Sequence, residues 1–215
     1  MGKSKNNGSE PIANSVRREK SMDTVLRSAE RLFVKKGFAG AKVEDIAKAA
    51  KVTTGTVYFY FQSKENLLLN LLDKSERRVL DPAVDVLHRE DLSVSDKLVR
   101  YLHHWAQPDS RFRVTMFLHV LMSFEFQNRG GPVEKRIDGM YNRLYDELTR
   151  MFETGQLSGE IYTHAPPREQ AATLISLMDG ALLEWLRRGK TLDGESFVKN
   201  LRQMLLLGLV RTAAR

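Results

Sequence analysis

Within one short stretch, from Thr53 to Lys64, the chain sets Thr53, Thr54, Gly55, Thr56, Tyr58, Tyr60 and Lys64. The reactive groups there are hydroxyls, phenols and one ammonium. They donate and accept hydrogen bonds and attract anions, but they supply no nucleophile–base pair. On a helix spanning Thr54 to Phe61, Val57 and Phe61 lie four residues apart and share a buried face. Thr54 and Tyr58 share another face, flanked by Thr56 and Tyr60. The outward side therefore carries polar tips, and Gly55 lets a backbone or base edge come close. Lys64 opens the next helix, where its charge adds to the exposed N–H groups and predicts a phosphate clamp. A helix of this size fits the major groove of a duplex and reads base edges with its first turn. Amphipathic spacing alone fits equally well a small helical subdomain with Tyr and Thr on its surface.

The elements that must hold these residues are helices. Val25, Ala29, Leu32 and Phe33 form one apolar stripe of a helix from Met22 to Lys36, with Gly37 as its stop. Val43, Ile46, Ala47 and Ala50 give the next helix, 43–50, a single inner face. Thr53 caps the helix after it, and Ser63 caps the following one. Two short helices joined by three or four residues make a helix-turn-helix. Residues 1–20 read as a flexible basic arm, 21–66 as the helix-turn-helix domain and 67–215 as a larger helical domain. The arm carries Lys3, Lys5, Arg17, Arg18 and Lys20 against Glu10 and Glu19, so it either touches phosphate or is a solvated tail.

Taken together, Gly37-Phe38, Val43-Glu44-Asp45-Ile46-Ala47, the run Val52 to Phe61, Ser63-Lys64-Glu65 and Leu67-Leu68 resemble the N-terminal domain of the TetR family of transcriptional regulators. The resemblance implies an all-α fold: a three-helix N-terminal helix-turn-helix domain followed by a ligand-binding and dimerisation bundle. It implies that Thr54, Gly55, Thr56 and Tyr58 approach bases or nearby backbone, and that Tyr60 and Lys64 approach phosphates of double-stranded operator DNA. Thr53 and Lys42 complete the expected DNA-facing set. The sequence departs from the family at Ala41-Lys42, where members often carry a capping Thr, and Lys42 offers a charge in its place. Glu44 stands where some members carry an Arg that contacts bases, so Glu44 is assigned no contact.

Beyond Leu67 the pattern is long helices, one of them capped by Ser93 or Ser95, running through Trp105 and ended by Pro108. A connecting helix is expected to stop near Asp81-Pro82, and Gly155 with Gly159 to end another. The helix from Pro167 to Arg188 is apolar on nearly every face, so it must be buried from two sides. The last helix, near 196–212, has the same need. The resemblance implies that these two helices pair with their copies in a homodimer, with Leu174, Leu182, Trp185, Leu201 and Leu205 at the interface; a monomer using both faces as core is the alternative. The resemblance also implies an effector pocket inside the bundle. Candidates are Trp105, Phe112, Met116, Phe117, His119, Met122, Phe126, Tyr141, Tyr145 and Trp185, lining a largely apolar cavity with His119 and Tyr141 as polar groups. Such a stripe also reads as ordinary core.

Composition bounds the function classes. The chain has 215 residues, 42% of them hydrophobic, a formal charge of +7 and no cysteine. That excludes disulfides, thiolate metal sites and a Cys nucleophile, and a basic chain suits a polyanionic partner. The histidines lack metal spacing, so no metal and no cofactor is expected. No membrane-spanning run or secretory signal is read, and a cytoplasmic setting is expected. A helical enzyme or carrier is the competing class, but no Gly-x-Ser-x-Gly elbow, phosphate-cradling loop or zinc-protease pair occurs, so an enzyme is not expected. A DNA-binding regulator governed by a protein partner instead of a small molecule is the nearer alternative.

Overall fold

In a computed structural model, residues 10–106 and 110–210 are described, the side chains of 10–14 and 110–111 excepted. The chain divides by its internal contacts into Met1–Leu71 and Leu72–Arg215.

The first unit is built on α1 (Glu10–Gly40), α2 (Val43–Ala50), α3 (Thr54–Phe61) and the start of α4 (Lys64–Ser75). Helix begins at Glu10, so the second half of the expected arm is helical; its first nine residues lie outside the described residues. Proline tolerates the first turn of a helix, where its missing N–H costs nothing, and Pro11 sits there. At Gly37 the backbone leaves the helix (φ 70, ψ 171), as its expected stopping role requires. The buried face of α2 is Val43, Ile46, Ala47 and Ala50.

The second unit holds α5 (Asp81–Leu87), α6 (Val94–Trp105), α7 (Ser110–Phe126), α8 (Pro132–Leu157), α9 (Pro167–Arg188) and α10 (Gly194–Leu209). Leu98, Tyr101, Leu118, Met122, Leu148, Phe152 and Ile161 are its fully buried centre. Ser93 caps α6 by accepting from the Asp96 N–H at 3.0 Å, and Asp193 caps α10. The Pro108 expected to end α6 lies outside the described residues.

Two expected stops are not stops. Helical backbone runs through Asp81-Pro82, by way of a π-helical turn at Glu76–Leu80. A proline ring in regular helix collides with the carbonyl four residues back. Here the Asp81 N–H bonds five residues back, to Glu76, and the widened turn makes room for Pro82 at the start of α5. Arg136 and Arg143, two turns apart on α8, hold this turn: Arg136 pairs with Asp73 and Glu76, and Arg143 with Glu76 and Asp81. Gly155 lies inside α8 and is buried. Its missing side chain leaves room for Ile161 and Val94, which a Cβ would overlap. The helix ends at Leu157, and Gly159 takes φ 80 just after it. The last helix ends at Leu209, before the expected 212, and Val210 pairs with Ile161 in one antiparallel bridge.

Candidate nucleic-acid interface and ligand cavity

Three residues, Lys51 to Thr53, join α2 to α3. Lys51 adopts the left-handed conformation (φ 57, ψ 41), and Val52 N–H returns to the Ala47 carbonyl at 3.0 Å. Thr53 then caps α3, its hydroxyl accepting from Thr56 N–H at 3.1 Å and meeting the Thr56 hydroxyl at 2.8 Å. One face of α3 is anchored by buried Val57 and Phe61. The opposite side is open: Gly55, Tyr58 and Phe59 are exposed, Thr54, Thr56 and Tyr60 are half-buried, and Lys42 and Thr53 are exposed nearby in sequence. The helix ends in a tight turn at Gln62 (φ 65, ψ −39), with Ser63 N–H bonded to the Phe61 carbonyl at 2.7 Å. Such a turn is strained for a residue with a side chain.

Two features escaped the sequence. Phe59 is 73% exposed, a large apolar ring where water would ordinarily be met by polar groups. Arg18, on α1, sits 5.9 Å from the centroids of both Phe59 and Tyr60, within cation–π range. The signal for Phe59 was present, since it falls opposite Val57 and Phe61. Arg18 needed the helix to begin early.

Lys64 is placed otherwise than expected. Its Nζ donates to the carbonyls of Phe38 at 2.9 Å and Ala41 at 3.2 Å, and lies 4.4 Å from the Phe38 ring centroid. The ammonium closes the loop between α1 and α2, where carbonyls freed by the break at Gly37 need donors. At Lys42, ahead of α2, no side chain caps the helix. The first 71 residues hold 13 of the 34 Lys and Arg but only 7 of the 27 Asp and Glu, a surplus of six positive charges.

The second unit contains two adjoining apolar cavities. One lies among α6, α7, α9 and α10, with Trp105, Met116, Trp185 and Leu201 in its wall. Arg113 stacks on Trp185 there at 4.5 Å. The other is lined from the π-turn, α6, α7, α8 and α9, and includes Trp105, Met116, His119 and Tyr141. Of the expected pocket residues, Phe112 is buried in a cluster with Met116, Val79 and Leu182. Met122 is fully buried core, and Tyr145 lies under Arg168, so neither joins a cavity wall. Phe117 packs against the Phe112 cluster and Phe126 is buried. Missed by the sequence reading were Tyr101, Met178 and above all Asp179, whose carboxyl burial pushes up to about 6.

His119 Nε2 lies 2.5 Å from the Ser75 hydroxyl, which itself donates to the Leu72 carbonyl at 2.8 Å. The imidazole is therefore the donor. Burial foremost lowers its pKa to about 4, so it is neutral near pH 7. This places a cavity residue against the last turn of α4.

The expected dimer residues are largely interior. Leu174, Leu182 and Leu205 are buried within the subunit, and Trp185 and Leu201 line the first cavity. An apolar helix packed from both sides spends those side chains on its own core. The exposed apolar side chains of α9 and α10 are Leu177, Leu186, Met204 and Leu207.

Known proteins bear on this geometry. The family described as bacterial regulatory proteins, tetR family, matches residues 25–71, the span of α2, α3 and their flanks. The crystal structure of the MbdR regulator from Azoarcus sp. CIB is 31% identical, covering 89% of this chain and 100% of that one, with a TM-score of 0.79. The chain belongs to the TetR family. Curated relatives of this TetR-family chain include the transcriptional repressor BepR of Brucella suis, 22% identical over 80% of this chain and 83% of that protein. The transcriptional regulator TtgR of Pseudomonas putida is 28% identical over 79% and 81%. As a TetR-family protein the chain is a DNA-binding transcriptional regulator with the helix-turn-helix at its N-terminus. Among the described residues no helix is long and apolar enough to cross a membrane, and no group of three or more metal-ligating side chains gathers.

Proposed function

We propose that the chain is a homodimeric repressor that lays α3 in the major groove of each half of a palindromic operator and leaves it when a small, largely apolar molecule enters the second unit. The observation that carries the reading is the open face of α3. Thr54, Gly55, Tyr58 and Phe59 are presented by a short helix fixed through Val57 and Phe61, in a unit with six surplus positive charges. Tyr58 and Thr54 reach base edges, and Phe59 suits a thymine methyl. Lys42, Thr53, Thr56 and Tyr60 flank the helix on the phosphate side. Lys64 holds the α1–α2 loop in place and so acts on DNA through position.

Release follows from linkage. A ligand shifts an equilibrium only by its difference in affinity for the two forms. The cavity wall includes His119, whose partner Ser75 ends α4, and α4 begins at Lys64 beside α3. A ligand that favours another His119 position biases the path of α4.

Footprinting on DNA flanking the protein's own gene, followed by fluorescence polarisation on the protected sequence, tests the reading. A palindromic footprint is expected. Tyr58→Ala should cost about 1–3 kcal/mol on the specific site, the range for one base contact. Lys42→Ala should lower the log–log salt slope by about one. Absence of any preferred duplex sequence at modest salt overturns the proposal.

A further inference from the structure

The second cavity has one carboxylate and, among the described residues, no compensating cation. Its wall is drawn from Trp105, Met116, Tyr141, Ile175 and Met178, with Asp179 among them, and among the described residues no Lys or Arg lines it. No described residue donates a hydrogen bond to Asp179. A carboxylate held among apolar and aromatic groups without a donor is costly, and such groups are ordinarily paired. On the same wall is the buried indole N–H of Trp105, which interacts with the Tyr101 hydroxyl but has no well-formed acceptor among the described residues. A half-buried carboxylate and a buried indole N–H thus lie on the wall of the space a ligand would fill.

We propose that this cavity takes an aromatic or aliphatic molecule carrying a protonated amine, with the Asp179 carboxylate as the counter-charge of the ammonium. The assignment rests on the ligand-released reading above and names its ligand class. The ammonium supplies the donors that Asp179 lacks, in an environment of low dielectric where a paired charge is held strongly. The rings of Trp105, Tyr101 and Tyr141 add faces to which a cation is attracted. An acceptor elsewhere on the ligand satisfies the Trp105 N–H.

The other titratable groups around the cavity leave the pairing to Asp179. Tyr101 on α6 and Tyr141 on α8 are kept protonated, by burial foremost and with the Asp179 charge adding to it. His119 on α7 is neutral at pH 7. None of them competes as an anion for the amine or as a cation for Asp179. Burial without a partner holds the Asp179 carboxyl up to about 6 in the free protein, which is the state an incoming ammonium would reverse.

Isothermal titration of the full-length protein with 4-phenylbutylamine, 4-phenylbutan-1-ol and 4-phenylbutyrate separates charge from shape, since the three share one skeleton. At pH 7.5 the amine should bind at least tenfold more tightly than the alcohol, and the carboxylate more weakly than either. Asp179→Asn should erase the amine's advantage and leave the alcohol unchanged, with its melting curve confirming the fold. Amine affinity should fall by about tenfold per pH unit below 6, while the alcohol's stays flat. The assignment is overturned if the alcohol or the carboxylate binds as tightly as the amine, if Asp179→Asn keeps the preference, or if none of the three binds at millimolar concentration. Operator release by the alcohol or carboxylate without amine preference overturns the assignment alone and leaves the ligand-released reading standing. That reading falls separately if a screen spanning all three charge classes yields no molecule that binds the second unit and releases DNA.

Discussion

Lys64 and Asp179 show how one charge acquires a role from what lies within hydrogen-bonding reach. Lys64 would be free to meet a phosphate if its ammonium stood in water, but two of its three N–H groups serve the carbonyls of Phe38 and Ala41. Lys64→Ala should therefore destabilise the first unit by about 1–2 kcal/mol, the worth of charged hydrogen bonds at a half-exposed site. Urea unfolding checks this, and an unchanged midpoint with a lower salt slope would restore the phosphate-clamp expectation. Asp179 and His119 make an opposed pair in pH. The Asp179 carboxyl titrates near 6 when folded against an ordinary 3.8, so it costs stability in full above about pH 6 and nothing below about 4. His119 titrates near 4 when folded against 6.5, so it costs stability as pH falls from 6.5 towards 4. Between pH 4 and 6 the two trends oppose. In Asp179→Asn only the His119 trend of this pair remains: the variant should melt higher than wild type at pH 7 and lose that advantage by pH 4. Parallel melting-temperature profiles for the two proteins would show that Asp179 is not desolvated.

At the scale of elements, the helix-turn-helix was legible because its inner face is simple. Val43, Ile46, Ala47 and Ala50 on α2, and Val57 and Phe61 on α3, are the buried residues that periodicity singled out. Capping by Thr53 and Ser63 was legible for the same local reason. What failed was anything decided by a distant neighbour. Pro82 reads as a stop until the π-turn braced by Arg136 and Arg143 removes its clash. Asp179 sits in a helix so apolar that one carboxylate looks like a solvent-facing exception, and only the cavity reveals the other possibility. Gly155 reads as a breaker because its neighbours Ile161 and Val94 are brought there by tertiary packing. Gly155→Ala raises local helix propensity by about 1 kcal/mol. It also forces a methyl into side chains that already fill the site, which overpacking places at about 1–3 kcal/mol of cost. A lowered melting temperature is expected, and a raised one would mean that Ile161 moves aside freely.

On the whole molecule, the question is what covers α9 and α10. Leu174, Leu182 and Leu205 face the subunit's own interior, so a homodimer has to be built from the residues left outside. On α9, Thr173, Leu177 and Gly180 are exposed at helical spacing, and the Thr173 and Ser176 hydroxyls are already bonded back to the Glu169 and Ala172 carbonyls at 2.8 Å. Such a face can lie against another helix without leaving polar groups unsatisfied. On α10, Met204 and Leu207 stand 64% and 66% exposed, one turn apart, with exposed Gly208 beside them. Burying both side chains in an isologous contact counts each twice, since the same patch occurs on both subunits. Replacing Met204 and Leu207 together by Glu sets four carboxylates across that contact. Because both side chains are exposed in the subunit, its own melting should change little while sedimentation shifts to the monomer. A monomer meets each operator half independently and forfeits the effective concentration that joins the two recognition helices. Affinity for the palindrome should fall by about 10²–10⁴, while affinity for an isolated half-site is kept. A double variant that still sediments as a dimer would place the interface on another face of the second unit.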